Sequence, residues 1–574
     1  MKKTKLELTW IGKDKRPKLE PRILLEESEK SYHAAQRVSE SDIFDNKLIH
    51  GDNLLALKAL EDEYAGEVKC IYVDPPFNTG QAFENYDDGV EHSIWLSLMR
   101  DRMELLHKLL ANDGTFAVHI DDNELGYLIV LLDEIFGRSN RAYISTFKQS
   151  SVSGPKAINP GLVSTTSYVV IYAKDKKQWK PNKLWVPTSR DSRYSKYIEN
   201  YGEEYSKWRL IPLMEAFAAS VGVEKKDLKK KFTDKLEKKV EEFVLADPSR
   251  VVRTARVAEK DVADSAKIML RNSNSSADTV FKAEREGSSD IYFLNGEQLI
   301  FYSSKTKLVD GERVTAQALS TLWDDLLSNN LHKEGGVRFP NGKKPEGLLK
   351  RVIELATDPG DLVLDSFGGS GTTAAVAHKM NRKWITVELG EHCHTHIHPR
   401  MKRIIDGCDQ DGISKALNWK GGGGFRFYTL APSLLQKDKW DNWIINREYN
   451  AEMLSQAVCK LEGFDYSPSD IDWWSHGYST ESDFIYVTTQ NLSVEKLQQI
   501  SDEVGGDRTL LVCCGAFRCK SDRFPNLTIK KLPKMILSRC EWAHDDYSLN
   551  VENLPQMERE PEQDSLFDTV EEEG

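Results

Sequence analysis

The sequence predicts an α/β fold built on a parallel sheet, because short apolar runs alternate with amphipathic stretches of helical length in two separate segments. In the first segment the predicted strands and helices are strand 48–50, helix 54–60, strand 70–73, helix 94–110, strand 115–120 and helix 124–136. In the second they are helix 348–356, strand 362–364, helix 371–380 and strand 384–387. Strands separated by helices pair in parallel within one sheet, so we expect both segments to build a single domain.

The rest of the chain differs in composition from these segments. Serine, lysine and aromatic residues replace the regular alternation after residue 140, and short strands around a helix at 494–504 suggest a further small α/β unit. The last twenty residues are acidic and too poor in apolar side chains to order alone. We predict six regions: an N-terminal arm at 1–45, the halves of the α/β domain at 46–140 and 331–430, an inserted domain at 141–330, a C-terminal α/β domain at 431–552 and a flexible tail at 553–574.

Charge is distributed unevenly along the 574 residues. The whole chain carries a net charge of −12, yet residues 141–260 contain 25 basic and 14 acidic side chains. This local excess of positive charge favours contact with a polyanion in the inserted domain. The chain has 8 cysteines, no secretory leader pattern and no long apolar stretch, so we expect a cytoplasmic protein without a membrane partner.

The first chemically suggestive motif is Asp74-Pro75-Pro76-Phe77, directly after a predicted buried strand. Open α/β sheets bind their ligands at this end of their strands. The Asp74 carboxylate and the Pro75 carbonyl are both acceptors, which suits an amino group with two hydrogens, and the Phe77 ring offers a face to a planar base. Taken alone, the motif is equally typical of a rigid turn.

The second motif, Asp365-Ser366-Phe367-Gly368-Gly369-Ser370-Gly371-Thr372-Thr373, lies between a predicted strand and a helix. Its glycines allow close backbone approach to a ligand. No lysine follows Gly371, which disfavours a P-loop for nucleoside triphosphates. Glu388 ends the next predicted strand, where Rossmann-like sheets bind a ribose diol, so the pattern favours a nucleoside cofactor without a pyrophosphate.

The two motifs together, with the catalytic one first, resemble the β-class amino-methyltransferases. The stretches LIHGDNLLAL, KKPEGLLKRVIELA and the segment around Gly421–Phe427 extend this likeness to the modification (Mod) subunits of type III restriction-modification systems. The resemblance is weakest between residues 146 and 330. It implies a Rossmann-like S-adenosylmethionine-dependent methyltransferase sheet with a circularly permuted motif order, in which the inserted domain recognises the DNA target.

The resemblance also implies roles for individual residues. Asp74, Pro75, Pro76 and Phe77 would form the catalytic site, with tyrosine more frequent in the family at the position of Phe77. Phe367, Gly369, Gly371 and Thr372 would form the cofactor loop, and Asp365 would anchor it. Glu388 would hold the ribose hydroxyls and Asp52 would approach the cofactor's adenine. Lys344 and Pro345 would border its methionine side.

The chemistry expected of such a site is methylation of an exocyclic amino group. S-adenosylmethionine brings an activated methyl group, so no covalent enzyme intermediate is needed. Cytosine-C5 methylation uses a cysteine that usually follows proline, and the chain has no Pro-Cys dipeptide. Adenine N6 is favoured over cytosine N4, because related cytosine enzymes usually carry serine at the position of Asp74. No metal is expected, although His392–His398 is rich in histidine.

Several partners and alternatives remain open at this stage. The resemblance implies double-stranded DNA as substrate, a homodimer, and a helicase-nuclease restriction subunit. Residues 563–567 resemble the short peptides that bind the bacterial sliding clamp. A catalytically silent DNA-recognition subunit, a solitary methyltransferase and an enzyme acting on RNA are the competing interpretations.

Overall fold

A computed structural model of the chain describes residues 7–77, 92–152, 161–285, 287, 289–326, 331–339, 342–520, 523–532, 534, 537 and 539–547. The chain forms two compact units. Residues 1–182 and 320–574 make up the first, and residues 183–319 the second. Strands and helices are numbered here in chain order.

The strands fall into groups along the chain. The first group is β1 (Leu24–Glu26), β2 (Tyr32–His33), β3 (Asn46–His50), β4 (Val68–Val73), β5 (Leu110–Ile120), β6 (Arg141–Lys148) and β7 (Thr166–Ala173). The second unit contains β8 (Trp185–Pro187), β9 (Lys196–Ile198), β10 (Leu210–Pro212), β11 (Val251–Arg256), β12 (Phe281–Ala283), β13 (Ile291–Leu294), β14 (Glu297–Phe301), β15 (Thr306–Val309) and β16 (Glu312–Ala318). The first unit resumes with β17 (Leu322–Trp323), β18 (Leu362–Asp365), β19 (Lys383–Glu388), β20 (Gly424–Leu430), β21 (Leu435–Lys437), β22 (Trp443–Ile445), β23 (Asp465–Tyr466), β24 (Gly477–Thr480), β25 (Asp483–Val487), β26 (Asn491–Leu492), β27 (Thr509–Cys514), β28 (Ala516–Phe517) and β29 (Leu527–Lys531).

The helices follow the same division. The first unit begins with α1 (Asn53–Tyr64), α2 (His92–Leu109) and α3 (Asp122–Leu132). The second unit contains α4 (Leu213–Ser220), α5 (Leu228–Phe232), α6 (Leu236–Ala246) and α7 (Asp264–Ser275). The first unit ends with α8 (Glu346–Ala356), α9 (Thr372–Lys379), α10 (His398–Ile405), α11 (Ala451–Glu462) and α12 (Val494–Val504).

The main sheet confirms the predicted α/β class. Its strand order is β1-β20-β3-β19-β18-β4-β5-β7-β6-β17, with β2 also paired to β20. The strands from β20 to β5 run parallel, and β7 alone is inserted antiparallel between β5 and β6. Most of their residues are buried, as expected for parallel strands covered on both faces.

The chain leaves the centre of this sheet in two directions. After β4 it passes through α2 to β5 on one side, and after β18 it passes through α9 to β19 on the other. Right-handed crossovers in opposite directions place their helices on opposite faces. In agreement, α2 contacts both α1 and α3, while α9 contacts both α8 and α10. The neighbouring strands β4 and β18 are therefore the topological switch point, where such sheets bind ligands.

The second unit is mainly antiparallel. Its six-stranded sheet has the order β10-β9-β11-β14-β13-β12, and a smaller sheet has the order β15-β16-β8. Helices α4 and α6 cover part of the larger sheet through a core that includes Phe217, Val240 and Val244. The lysine-rich stretch 225–239 contains α5 and the start of α6, with Thr233 between the two helices at φ 47°.

The C-terminal region has a sheet of its own within the first unit. Strands β23, β24, β25, β27 and β29 are ordered as in the chain, and α11 and α12 supply apolar residues to the two cores beside them. Helix α12 covers the range that the sequence predicts, and its N-cap Ser493 accepts a hydrogen bond from the Lys496 amide.

The borders of the insertion differ from those predicted. We expected an inserted domain at 141–330, whereas the second compact unit covers only 183–319. The difference arises because β6, β7 and β17 extend the main sheet. In particular, the buried run Val169–Ala173 pairs with β5 instead of belonging to an irregular region. At the other end of the sheet, β1 and β2 of the predicted arm pair with β20.

Two further expectations concern the remaining chain. The predicted tail at 553–574, with its clamp-like peptide at 563–567, lies outside the described residues. Within the described ranges, every helix is either too short or too polar to span a bilayer.

A fully buried charge network joins α8, α9 and α10. The Lys379 ammonium donates to Glu346 at 2.8 Å and to Asp409 at 2.6 Å, and Arg400 donates to Glu346 at 2.8 Å. All four side chains are at most 1% exposed. Removing one member of such a network leaves the others charged and without compensation in a dry interior.

We predict that Lys379→Met lowers the free energy of unfolding by about 3–5 kcal/mol, because Asp409 and Glu346 lose their shared cation. The measurement is the midpoint of urea unfolding. Lys383→Met is the matched control, since Lys383 is half exposed and pairs with Asp45 at 3.5 Å. We expect that control to stay within about 0.5 kcal/mol of the wild type. Equal midpoints for both variants would contradict the importance of the network.

Candidate active site

Asp74 follows β4 at the carboxyl edge of the main sheet. One carboxylate oxygen, Oδ1, is buried and has no hydrogen-bond partner. The other, Oδ2, lies 2.6 Å from the Lys344 ammonium. Burial raises the pKa of the Asp74 carboxyl above its ordinary value, although Lys344 opposes that shift. Asp74 Oδ1 can therefore accept a hydrogen bond from a ligand.

Pro76 and Phe77, which follow Asp74, are held in place by contacts with α2 and the core. The Pro76 carbonyl accepts a hydrogen bond from the Trp95 indole at 3.0 Å, which fixes the turn on α2. The Phe77 ring packs against the core and lies 5.7 Å from the His119 ring. His119 contacts the Tyr72 hydroxyl at 3.0 Å and Ser167 at 2.7 Å, and burial lowers its pKa well below the ordinary value. His119 is therefore neutral, and its ring packs against the ring of Phe77.

The glycine-rich segment 365–373, called the glycine loop below, lies at the same edge as Asp74. Strand β18 pairs with β4 so that Leu364 is level with Ile71, which brings the loop after Asp365 beside the turn after Val73. Phe367 and Phe77 pack against the same buried core. Two motifs nearly three hundred positions apart in the chain therefore meet at the switch point of the sheet.

Asp365 anchors the loop from below. Its Oδ1 accepts from the Phe367 amide at 2.9 Å, and its Oδ2 accepts from the Thr373 hydroxyl. Burial, together with the nearby Asp74 and Glu388, raises the pKa of Asp365 to about 8. The loop is thus held by a carboxyl that costs free energy to ionise.

Glycine is needed in this loop for two physical reasons. Gly371 begins α9 with φ +75°, a left-handed conformation that other residues rarely adopt. At Gly368 an added Cβ would lie 2.7 Å from the Thr386 methyl group, so the loop can pack directly on β19. These two glycines serve packing and backbone conformation within the protein.

Glu388 at the end of β19 closes the loop. Its Oε2 accepts from the Gly369 amide at 2.7 Å, and its Oε1 accepts from the Gly390 amide at 2.9 Å and lies 2.9 Å from His392. A carboxylate oxygen can accept two hydrogen bonds, so Oε2 keeps capacity for a hydroxyl group. The hydroxyls of Ser366 and Thr386 are also buried without a hydrogen-bond partner. In the described part of the chain, no three His, Cys, Asp or Glu side chains are grouped to hold a metal ion.

Arg400 is a supporting residue that the sequence motifs do not reveal. Its guanidinium donates to the Ser370 carbonyl at 3.0 Å and to the Thr372 hydroxyl at 2.9 Å, and it is also paired with Glu346. Through Arg400 the glycine loop is connected to the buried charge network. A single arginine in α10 carries no pattern from which this contact could be predicted.

Both carboxylate oxygens of Asp52 accept hydrogen bonds from other residues of the protein. Its Oδ1 caps α1 by accepting from the Leu55 amide at 3.0 Å, and its Oδ2 accepts from the Tyr547 amide at 3.1 Å and from Arg102 at 3.4 Å. The side chain is 1% exposed. Asp52 therefore ties the C-terminal segment to the start of α1, and its predicted contact with a cofactor stays a prediction.

Lys344 and Pro345 lie just before α8. Pro345 is buried at the N-cap position of that helix. Lys344 reaches Asp74, and its ammonium lies 4.8 Å above the centre of the Phe77 ring. The expected position of Lys344 and Pro345 beside the cofactor stays a prediction, and the contact of Lys344 with Asp74 is additional to it. The contact between Lys344 and Asp74 could not be predicted from the spacing of the motifs in the sequence.

We predict that Asp365→Asn changes the pH dependence of stability. Asp365 is protonated in the folded protein up to pH about 8 but ionises near pH 3.8 when unfolded, so folding takes up a proton between these values. The wild type should therefore lose stability as pH rises through this window, by about 1 kcal/mol per pH unit, relative to Asp365→Asn.

The measurement is the difference in melting temperature between the two proteins from pH 5 to pH 8. Asp358→Asn, which changes an exposed carboxylate, is the control and should show a constant difference. A constant difference for Asp365→Asn as well would show that Asp365 is already ionised in the folded protein.

Comparison with known proteins agrees with this geometry. A family described as DNA methylase (N6_N4_Mtase) matches residues 68–398, which is more than half of the chain. The match begins at β4 and ends at the start of α10, so it includes both loops at the switch point.

Two relatives share more of the sequence. A Haemophilus influenzae protein named "Probable type III restriction-modification enzyme HindVI Mod subunit" is 35% identical over 69% of this chain and 55% of its own length. The EcoP15I Mod subunit of a type III restriction-modification enzyme from Escherichia coli is 24% identical over 88% of this chain and 86% of its own. The chain thus spans about half the length of the HindVI relative.

Among solved structures, the cytosine-N4-specific PvuII DNA methyltransferase is 15% identical, with a TM-score of 0.31, over 68% of this chain and 98% of that protein. A TM-score of 0.31 is too low to establish a shared fold, so the fold is assigned from the strand order of the main sheet. Because the match to the family covers β4, β18 and both loops that follow them, the chain belongs to the DNA methylase family.

Proposed function

We propose that the protein transfers a methyl group from S-adenosylmethionine to N6 of an adenine flipped out of double-stranded DNA. The observation that carries this proposal is Asp74 Oδ1, a buried acceptor without a partner beside the Phe77 ring and the glycine loop. Buried polar atoms are nearly always hydrogen-bonded, so an unpaired carboxylate oxygen at a switch point favours a ligand that donates to it.

The donor set fits the cofactor. S-adenosylmethionine is a cation at its sulfonium and amino groups, and its ribose carries two hydroxyls. The edge of the sheet presents the carboxylates of Asp74 and Glu388. The third carboxyl, that of Asp365, has a pKa that burial first and these two neighbours second raise to about 8, so it adds little negative charge. Glu388 keeps acceptor capacity for a hydroxyl, and the loop residues Phe367, Gly369, Gly371 and Thr372 would enclose the nucleoside. Once bound, the cofactor supplies an electrophilic methyl group.

The residues of the chain then orient the base. Asp74 and the Pro75 carbonyl accept the two N6 hydrogens, which directs the nitrogen lone pair away from the ring plane and toward the cofactor side. Phe77 stacks on the purine and gives the extruded base a surface that replaces its neighbours in the duplex. Asp74 is mostly buried, its side chain being 19% exposed, so its carboxylate is already in place when the base arrives.

Adenine is the preferred target over cytosine. Both N6 of adenine and N4 of cytosine are exocyclic amines, and the family name covers both. Two features favour adenine: Asp74 in place of the serine that is usual in cytosine enzymes, and similarity to Mod subunits. The same similarity supports a role as the modification subunit of a type III-like system with a helicase-nuclease partner, and the basic excess in residues 141–260 supports DNA as the polyanion.

We predict that Asp74→Ala abolishes methyl transfer, with a loss of at least about 100-fold, because the amino group loses its acceptor. Unmethylated genomic DNA is incubated with the protein and S-adenosylmethionine, and long-read sequencing reports the base and the site that are modified. Cofactor affinity, measured by calorimetry, should change little. Asp358→Ala is the control on an exposed carboxylate. Undiminished methylation by Asp74→Ala would refute the site.

A second prediction concerns stacking. Phe77→Ala should lower kcat/KM for DNA by about 10- to 100-fold, since base–aromatic stacking contributes roughly 1–3 kcal/mol. Phe77→Tyr is the matched control, because it keeps the ring and restores the residue more frequent in the family. It should retain at least about half of the activity. Equal losses for both variants would indicate that Phe77 acts only through the packing of the turn.

A further inference from the structure

The side chain of Lys344 fills the place that the proposed function assigns to the target base. Its ammonium lies 2.6 Å from Asp74 Oδ2 and 4.8 Å from the centre of the Phe77 ring. Stacked rings have centres about 4.5–7 Å apart, so the ammonium occupies space that a stacked purine needs. Its hydrogen bond goes to Asp74 Oδ2, the oxygen beside the free Oδ1 to which the amino group would donate.

This placement is built into the fold. The preceding residue, Lys343, is buried and donates to the carbonyls of Glu334 and Val337. The residue two positions later, Glu346, is held by Lys379 and Arg400. Both flanks of Lys344 are therefore fixed, and its own side chain is only 13% exposed. Such anchoring directs the Lys344 side chain toward Asp74.

An ammonium and an exocyclic amine are chemically similar as ligands of a carboxylate. Both donate hydrogen bonds, and both relieve the cost of burying the charge of Asp74. They cannot occupy the same face of Phe77 together. Displacement of Lys344 therefore costs an ion pair, and only a base that donates to Asp74 compensates for it.

We propose that Lys344 is a placeholder for the target amino group: its ammonium occupies the base site in the free protein and leaves when the adenine enters. This inference rests on the proposed function. It makes Lys344 a positioning residue that competes with the base, so its removal should favour entry of the base.

The test measures base extrusion directly. A duplex with the mapped recognition site carries 2-aminopurine beside the target adenine, and its fluorescence rises when the adenine leaves the stack. Lys344→Met and Lys344→Gln remove the charge, and Lys344→Arg keeps it. Lys350→Met, a lysine on α8 that pairs with Glu354, is the matched control. Melting temperatures of all variants report whether the fold is retained. Two uncharged variants are used so that the test can still be made if one of them does not fold.

With the uncharged variants, the ratio of extruded to stacked adenine should rise roughly three- to tenfold, because a competing, mostly buried ion pair has been removed. KM for DNA should fall by a similar factor. Lys344→Arg and Lys350→Met should behave as the wild type. Cofactor affinity should be unchanged in all variants.

Three results would overturn the inference. Unchanged extrusion in the uncharged variants would show that Lys344 does not compete with the base. Reduced extrusion would show that it helps to hold the base. Weakened S-adenosylmethionine binding with unchanged extrusion would assign Lys344 to the cofactor. If the wild type methylates no site, the proposed function fails and this inference fails with it, whereas active wild type with unaltered variants refutes the inference alone.

Discussion

The parallel pairing of β4 with β18 is the constraint on which the candidate site depends. These strands come from opposite ends of the family match, and the chain continues from them in opposite directions. Their pairing opens a crevice at the carboxyl edge, because neither crossover helix covers the space between the two loops. Asp74 occupies one side of that crevice and the glycine loop the other. The conformation of each loop then follows from local contacts with its own strand.

Buried charge is the second organising feature. Asp74, Asp365 and Glu388 lie at one edge. Burial, and to a lesser extent the two other carboxyls, raises the pKa of Asp365, and Lys344 pairs with Asp74. Below them, Lys379 and Arg400 balance Glu346 and Asp409 in a dry network. Arg400 also donates to the glycine loop, so the charges that stabilise the helical layer also hold the loop. Stability and site geometry thus depend partly on the same side chains.

The sequence predicted the central sheet well because parallel strands and their helices have strong local patterns. The motif loops were placed correctly at strand ends for the same reason. Three features could not be predicted, since each depends on contacts between distant segments: the antiparallel insertion of β7, the engagement of Asp52 by Tyr547, and the contact of Lys344 with Asp74. In each case the residues involved have more than one chemically reasonable partner, and only the fold selects among them.

The strand order has a consequence for how the protein is made. Strands β3 and β4 are synthesised early, but β18 and β19, which lie between them, emerge from the ribosome about three hundred residues later. Until then the nascent chain exposes three unpaired strand edges, both edges of β3 and one edge of β4, which is a hazard for aggregation. The intervening unit at 183–319 has its own sheets and cores and can fold during this interval. Completion of the central sheet is therefore a late event, and a ribosome that stalls before residue 362 leaves a chain with an open sheet and without the loop 365–373.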